Sequence, residues 1–258
     1  MPESKSFFTK GRVGMSRFFT DKQNISDEKI FITGDDVKHI SKVLRLRTGD
    51  EITVCDGEGT DYECEISEIS SDRVVVKVLE TRLNSAESDV CITLYQGLTK
   101  GDKMDYIIQK CVELGVSRIV PVLTKRAVSR PSDGDKKVIR WQKIAAEAAK
   151  QCGRGRIPEI GRICTFEEAS AIACEKKNSL NLMPYECEKE RHLRDALKEY
   201  NGKSVNVFIG PEGGFDDSEV GLARAKGMKT ITLGPRIMRT ETAPLAVAAA
   251  IMYEMGDW

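Results

Sequence analysis

The stretch LGPRIMRTETAPLAVAAAIMYEM, residues 233–255, decides how the chain is read. It follows a short apolar strand candidate, Thr230-Ile231-Thr232-Leu233, and turns through Gly234-Pro235. It then carries Arg236 and Arg239 ahead of Thr240-Glu241-Thr242. Thr240 or Thr242 suits the N-cap of a helix, Pro244 suits its first turn, and Leu245 to Met255 fills its body. Between Leu245 and Tyr253 there is almost no polar face, so the helix is expected to be buried all round. A polar, glycine-bearing loop ahead of such a helix points to a loop kept for chemistry and a helix kept for packing.

A second loop has the same form. Val205 to Ile209 is a β-rich run, Gly210-Pro211-Glu212-Gly213-Gly214-Phe215 follows, and Asp216-Asp217-Ser218-Glu219 opens a helix with acids at the positive end of its dipole. Strand, glycine loop, helix is the geometry in which backbone amides approach a ligand with no Cβ in the way. Gly213-Gly214 taken alone reads first as a tight strand-to-helix turn, and it is the second loop that shifts the balance toward a ligand site. There is no GxGxxG and no GxxxxGK[ST], which removes the dinucleotide fingerprint and the Walker loop.

Outward from these loops, strand candidates at 91–95, 117–123, 180–184, 205–209 and 229–233 alternate with helical ones at 101–114, 138–152, 166–177, 191–200, 217–226 and 242–255. That alternation predicts an α/β domain on a parallel sheet, spanning 88–258. Both glycine loops, and Gln96 to Lys100 after the first strand, fall at the carboxyl ends of strands, where open α/β sheets collect ligands. Residues 15–84 read instead as short β runs (30–32, 51–54, 62–69, 74–79) with Gly and Asp turns, a small barrel. One helix interrupts them, opened by Asp35-Asp36, with Val37, Ile40, Val43 and Leu44 as its apolar face. Residues 82–89 are polar and turn-rich, a linker. Residues 1–14 precede a second Met at 15 and read as an extension.

Composition narrows the classes. Hydrophobic content of 40% supports a core, and 40 Lys+Arg balance 40 Asp+Glu, which argues against a simple nucleic-acid binder. The balance is uneven along the chain. Residues 100–156 hold 14 basic and 6 acidic residues, whereas 15–84 hold 10 basic and 15 acidic. The basic stretch suits either a phosphate backbone or solvated helix faces. The eight cysteines form no C-x-x-C and the histidines are His39 and His192, so no zinc or other metal site is expected. Free thiols fit a reducing cytosol, and no leader or membrane-crossing run is expected. His39 and the Phe18-Phe19 pair are expected to pack rather than to act on a ligand.

FIGPEGGF (208–215) and LGPRIMRTETAPLA (233–246) together resemble the SPOUT-type methyltransferases, within them the 16S ribosomal RNA (uracil-N3) methyltransferase family. Further blocks carry the likeness: SRFF (16–19), HISKVLRLRTGDEITVCDGEGTDYECEI (39–66), GLTKGDKMDYIIQKCVELGVSRIVPV (97–122) and RWQKIAAEAAKQCGR (140–154). The resemblance implies a C-terminal α/β domain with a deep trefoil knot, preceded by a PUA-like β-barrel that grips RNA. It implies a cytoplasmic homodimer with its site at the subunit interface, acting on 16S rRNA or the 30S subunit. It also implies S-adenosylmethionine held by loops 210–214 and 233–243.

The residues expected at that cofactor are Leu98, Gly210, Pro211, Glu212, Gly213, Gly214, Leu233, Gly234, Arg236, Ile237, Met238, Thr240, Thr242 and Ala243. Uracil N3 carries a proton and is a poor nucleophile while neutral. Arg239 is the expected electrostatic partner of its anion, because guanidinium suits a delocalised oxyanion. Glu212 and Glu241 stand as alternative bases or Arg-orienting partners. Arg17, Arg45, Arg47, Arg154 and Arg156 are expected to contact RNA. The competing reading is a non-catalytic RNA-binding assembly factor on the same scaffold.

Overall fold

The computed structural model describes residues 16–130, 133–175 and 178–256, and the chain divides into two compact units after Ser85. The expected extension 1–14 lies outside the described residues.

In the first unit, β1 (Arg17–Phe19), β2 (Lys29–Thr33), β3 (Glu51–Cys55), β4 (Thr60–Ile69) and β5 (Arg73–Leu83) form one mixed sheet in the order β1-β3-β4-β5-β2. β1 runs parallel to β3 and the other pairings are antiparallel. Alternation puts Ile30 and Ile32 of β2 inward, onto Ile52, Val54, Ile66, Val74 and Val76. Phe18 joins this core and meets His39 edge-on at 6.0 Å, so both pack as expected. The short helix α1 (Asp35–Lys38) buries Val37, and Ile40 follows it inward. Val43 and Leu44 do not: Val43 is 69% exposed. The backbone widens into a π turn over His39–Val43, with the Leu44 amide bonded to His39 O. The i→i−5 spacing shifts the phase and turns these two side chains off the apolar face.

The second unit is a parallel sheet with flanking helices. Its elements are β6 (Cys91–Gly97), α2 (Lys103–Glu113), β7 (Arg118–Leu123), α3 (Gly134–Cys152), β8 (Glu159–Ile160), β9 (Cys164–Thr165), α4 (Phe166–Glu175), β10 (Leu180–Pro184), α5 (Leu193–Lys198), β11 (Ser204–Ile209), α6 (Asp217–Ala225), β12 (Lys229–Ile231) and α7 (Ala243–Glu254). The strand order is β12-β10-β11-β6-β7-β8, with β9 also on β7 and every pairing parallel. α2 buries Met104, Ile107, Ile108, Cys111 and Val112, the spacing of one helical face. It ends at Gly115, which sits at φ +84. The short β8 and β9 carry too few residues to show a period and were not expected from the sequence.

α7 departs from expectation in two ways. Thr242 is its N-cap residue but makes no side-chain cap bond, and the helix starts through the proline at its first turn instead. Nor is it buried all round. Val247, Ala248, Ile251 and Met252 are buried, Leu245, Ala246, Ala249 and Ala250 only half-buried, and Tyr253 is exposed. Thr240, the other cap candidate, reaches elsewhere. Its hydroxyl donates to Gly210 O at 2.7 Å and accepts from Gln96 Nε2 at 3.1 Å. The loop leaving edge strand β12 therefore returns over the ends of β11 and β6.

Candidate functional site

Three adjacent strands, β12, β10 and β11, end at one edge of the sheet, and the loops that follow them enclose a cavity of about 550 Å³. Its walls are residues 184–186 and Lys189 after β10, 209–215 after β11, 232–241 with Ala243 after β12, and Lys103 from the first turn of α2. The 210–214 loop closes on itself through the Gly214 amide and Pro211 O, with Gly214 at φ +66. It lies directly on the end of β6. A Cβ on Gly97 would stand 2.6 Å from the Pro211 nitrogen, so only glycine lets the two backbones approach. The helix after this loop is set by a capping box between Asp216 and Glu219.

Charge gathers at the rim. Lys103 Nζ lies 3.2 Å from Glu212 Oε1 and 3.3 Å from Glu241 Oε2. The Lys100 amide also donates to Glu212 Oε1, at 3.2 Å. Partial burial of Glu212 works to raise its pKa, but the backbone donors and the Lys103 ammonium outweigh it and hold the carboxyl below its ordinary value. Glu241 is mostly buried, and its Oε1 lies 4.0 Å from Arg239 Nη1, whose side chain is 84% exposed. Across the cavity, the turn 185–191 is pinned by Glu188, which accepts from the Thr230 hydroxyl at 2.7 Å and from the amides of Lys189, Glu190 and Arg191.

The structure brings most of the expected residues together. Gly210 to Gly214, Leu233, Gly234, Arg236 to Glu241 and Ala243 all line the cavity. Leu98 does not: its side chain is buried in the core and its amide pairs with Val122 O. Thr242 is exposed at the helix start and forms no part of the wall. Lys103 is a wall residue too, whereas its place near the start of a helix suggests in sequence only an RNA contact or a helix N-terminal charge. Sequence reasoning leaves out the turn 184–189, which has neither glycine nor periodicity to mark it.

Two of the arginines expected to grip RNA are committed inside the fold. Arg17 makes a bidentate pair with Asp61, at 2.7 and 2.9 Å, and also touches Cys55 Sγ. Arg154 is 7% exposed, pairs with Glu87 at 3.0 Å and donates to the carbonyls of Val112 and Val116. Buried guanidinium held by carboxylate and carbonyls is a strut of the fold. Arg45, Arg47 and Arg156 are exposed. All eight cysteines are free, and no group of metal-ligating residues occurs among the described residues. No described helix is long and apolar enough to cross a membrane.

The RNA methyltransferase domain family matches residues 86–252, and the RNA methyltransferase PUA domain family matches 32–79. Ribosomal RNA small subunit methyltransferase E of Bacillus subtilis is 35% identical over 250 residues, covering 93% of this chain and 97% of its own length. The Synechocystis protein of that name is 32% identical over 246 residues, covering 91% and 76%. The crystal structure of the Neisseria gonorrhoeae protein of that name, bound to S-adenosyl methionine, superposes with a TM-score of 0.83 at 32% identity, covering 93% of this chain and 98% of its own. The parallel sheet and its loop-built cavity are thus those of a SPOUT-type RNA methyltransferase. More narrowly, the chain belongs to the ribosomal RNA small subunit methyltransferase E family.

Proposed function

We propose that the chain transfers the methyl group of S-adenosylmethionine to N3 of a uracil in small-subunit rRNA. The observation that carries this reading is the shared cavity of the two glycine loops, with Arg239 exposed on its rim. The cavity size falls in the range that holds a small-molecule cofactor. Its chemistry fits as well. Apolar Ile209, Leu233, Ile237 and Met238 suit the adenine face, the loop backbones suit its polar edge, and Glu186, Glu212 and Glu241 complement a positive sulfonium. When bound, the cofactor supplies an electrophilic methyl group.

The protein's own contribution is alignment and charge. Holding donor and acceptor in line is worth up to roughly 7–11 kcal/mol of barrier in favourable cases. Arg239 presents its donors to the uracil oxygens and stabilises the anion that forms as N3 loses its proton. Glu212 is engaged by the Lys100 amide and Lys103, and serves as an anchor. Glu241 stands beside Arg239, and its Oε1 is the acceptor we assign to the N3 proton. Arg45, Arg47 and Arg156 contact RNA phosphates. The half-buried apolar face of α7 is covered by a second copy of the chain, and the substrate is 16S rRNA or the 30S subunit, in the cytoplasm.

The test is methyl incorporation from labelled S-adenosylmethionine into 30S subunits that lack the modification, followed by nucleoside analysis. The expected product is N3-methyluridine. Cofactor binding without incorporation into any ribosomal RNA or particle would favour the non-catalytic assembly factor instead.

A further inference from the structure

We propose that Lys103 is a positioning residue of this site, a single ammonium that clamps the loop after β11 to the loop after β12 and so sets Glu241 beside Arg239. The inference rests on the methyl-transfer reading for its consequence, and on geometry alone for the clamp. Lys103 Nζ reaches Glu212 from one loop at 3.2 Å and Glu241 from the other at 3.3 Å. Both loops are cavity walls and Lys103 is itself a wall residue. Without it, two carboxylates from separate loops face each other across the same spot.

The Glu241 end decides that this is more than a surface ion pair, which ordinarily contributes little. Glu241 Oε2 is buried and has no hydrogen-bond partner, so the Lys103 charge is what compensates it. The other oxygen, Oε1, faces Arg239. Lys103 thus fixes one end of a carboxylate whose other end meets the residue assigned to the uracil anion. Glu212 is anchored twice on the same side, by Lys103 and by the Lys100 amide just ahead of α2. The start of α2 thus holds both loops.

The clamp is tested in full-length protein by deuterium exchange of residues 210–214 and 232–242 without cofactor, and by calorimetric titration with S-adenosylmethionine. Lys103→Met is expected to speed exchange in both loops together and to weaken cofactor affinity by about tenfold, as loss of a partly exposed charge network allows. Lys103→Arg, which keeps the charge, is expected to restore both readouts to within about twofold of wild type. Glu212→Gln with Glu241→Gln, leaving Lys103 intact, attacks the clamp from its other side and should loosen the same two loops. Adding those two changes to Lys103→Met should slow loop exchange part of the way back toward wild type, because the facing negative charges are gone. Wild-type exchange and affinity in Lys103→Met, or exchange altered only within α2, overturns the proposal. A wild-type protein that binds cofactor but methylates no RNA removes the functional reading and leaves the clamp result standing.

Discussion

Arg239 has little to do for the fold. Its side chain is largely in solvent and its nearest carboxylate oxygen is 4.0 Å away. Replacing it should therefore leave the protein folded and the cofactor bound. Arg239→Ala is expected to lower the methyl-transfer rate by about 10²–10³, the usual cost of losing one stabiliser of developing charge. Its cofactor affinity by calorimetry should stay close to wild type. A comparable loss in both would place Arg239 in cofactor binding instead. Glu188 is the opposite case, a carboxylate committed to structure. The Thr230 hydroxyl, followed by the amides of Glu190, Arg191 and Lys189, lowers its pKa from 4.5 to about 2. Because the folded value is the lower one, its stabilisation is present above about 4.5 and drains away as pH falls toward about 2. Urea midpoints measured across that window should fall less steeply with acid in Glu188→Gln than in wild type. Parallel slopes would show that the turn 185–191 does not depend on this charge.

At the level of elements, the approach of the 210–214 loop to β6 allows a sharp test. Gly97→Ala puts a methyl group 2.6 Å from backbone, where no side-chain motion relieves it. A destabilisation of about 1–3 kcal/mol in chemical denaturation is expected, with cofactor binding impaired by the displaced loop. Unchanged stability and affinity would mean that the loop yields at no cost. This contact also marks the boundary of what the sequence disclosed. The alternation of strands and helices, the two glycine loops and the rim arginine were all legible, since each is a local pattern. Gly97 was not singled out, because what demands a glycine there is Pro211, far away in the chain. The pairing of Lys103 is hidden for a related reason: its partners come from two other loops. Arg17 and Arg154 look like RNA contacts in sequence because nothing local distinguishes a solvated arginine from one paired to Asp61 or Glu87. The phase of residues 43 and 44 was missed because a π turn looks like a helix in sequence.

For the molecule as a whole, α7 sets the expectation. A helix this apolar leaves Leu245, Ala246, Ala249 and Ala250 half-covered and Tyr253 71% exposed. Apolar patches of this kind mark association surfaces. Sedimentation equilibrium should give the mass of two chains, and Ala249→Glu, which puts a charge into the patch, should reduce it to one. A wild-type mass of one chain at micromolar concentration would refute the dimer.

The hydroxyl of Thr240 has a consequence in time. It accepts from Gln96, 144 positions earlier in the chain, and donates to Gly210, so one side chain closes three distant segments together. So distant a contact is closed late and slowly in folding, and the cavity whose walls it ties together is completed only then.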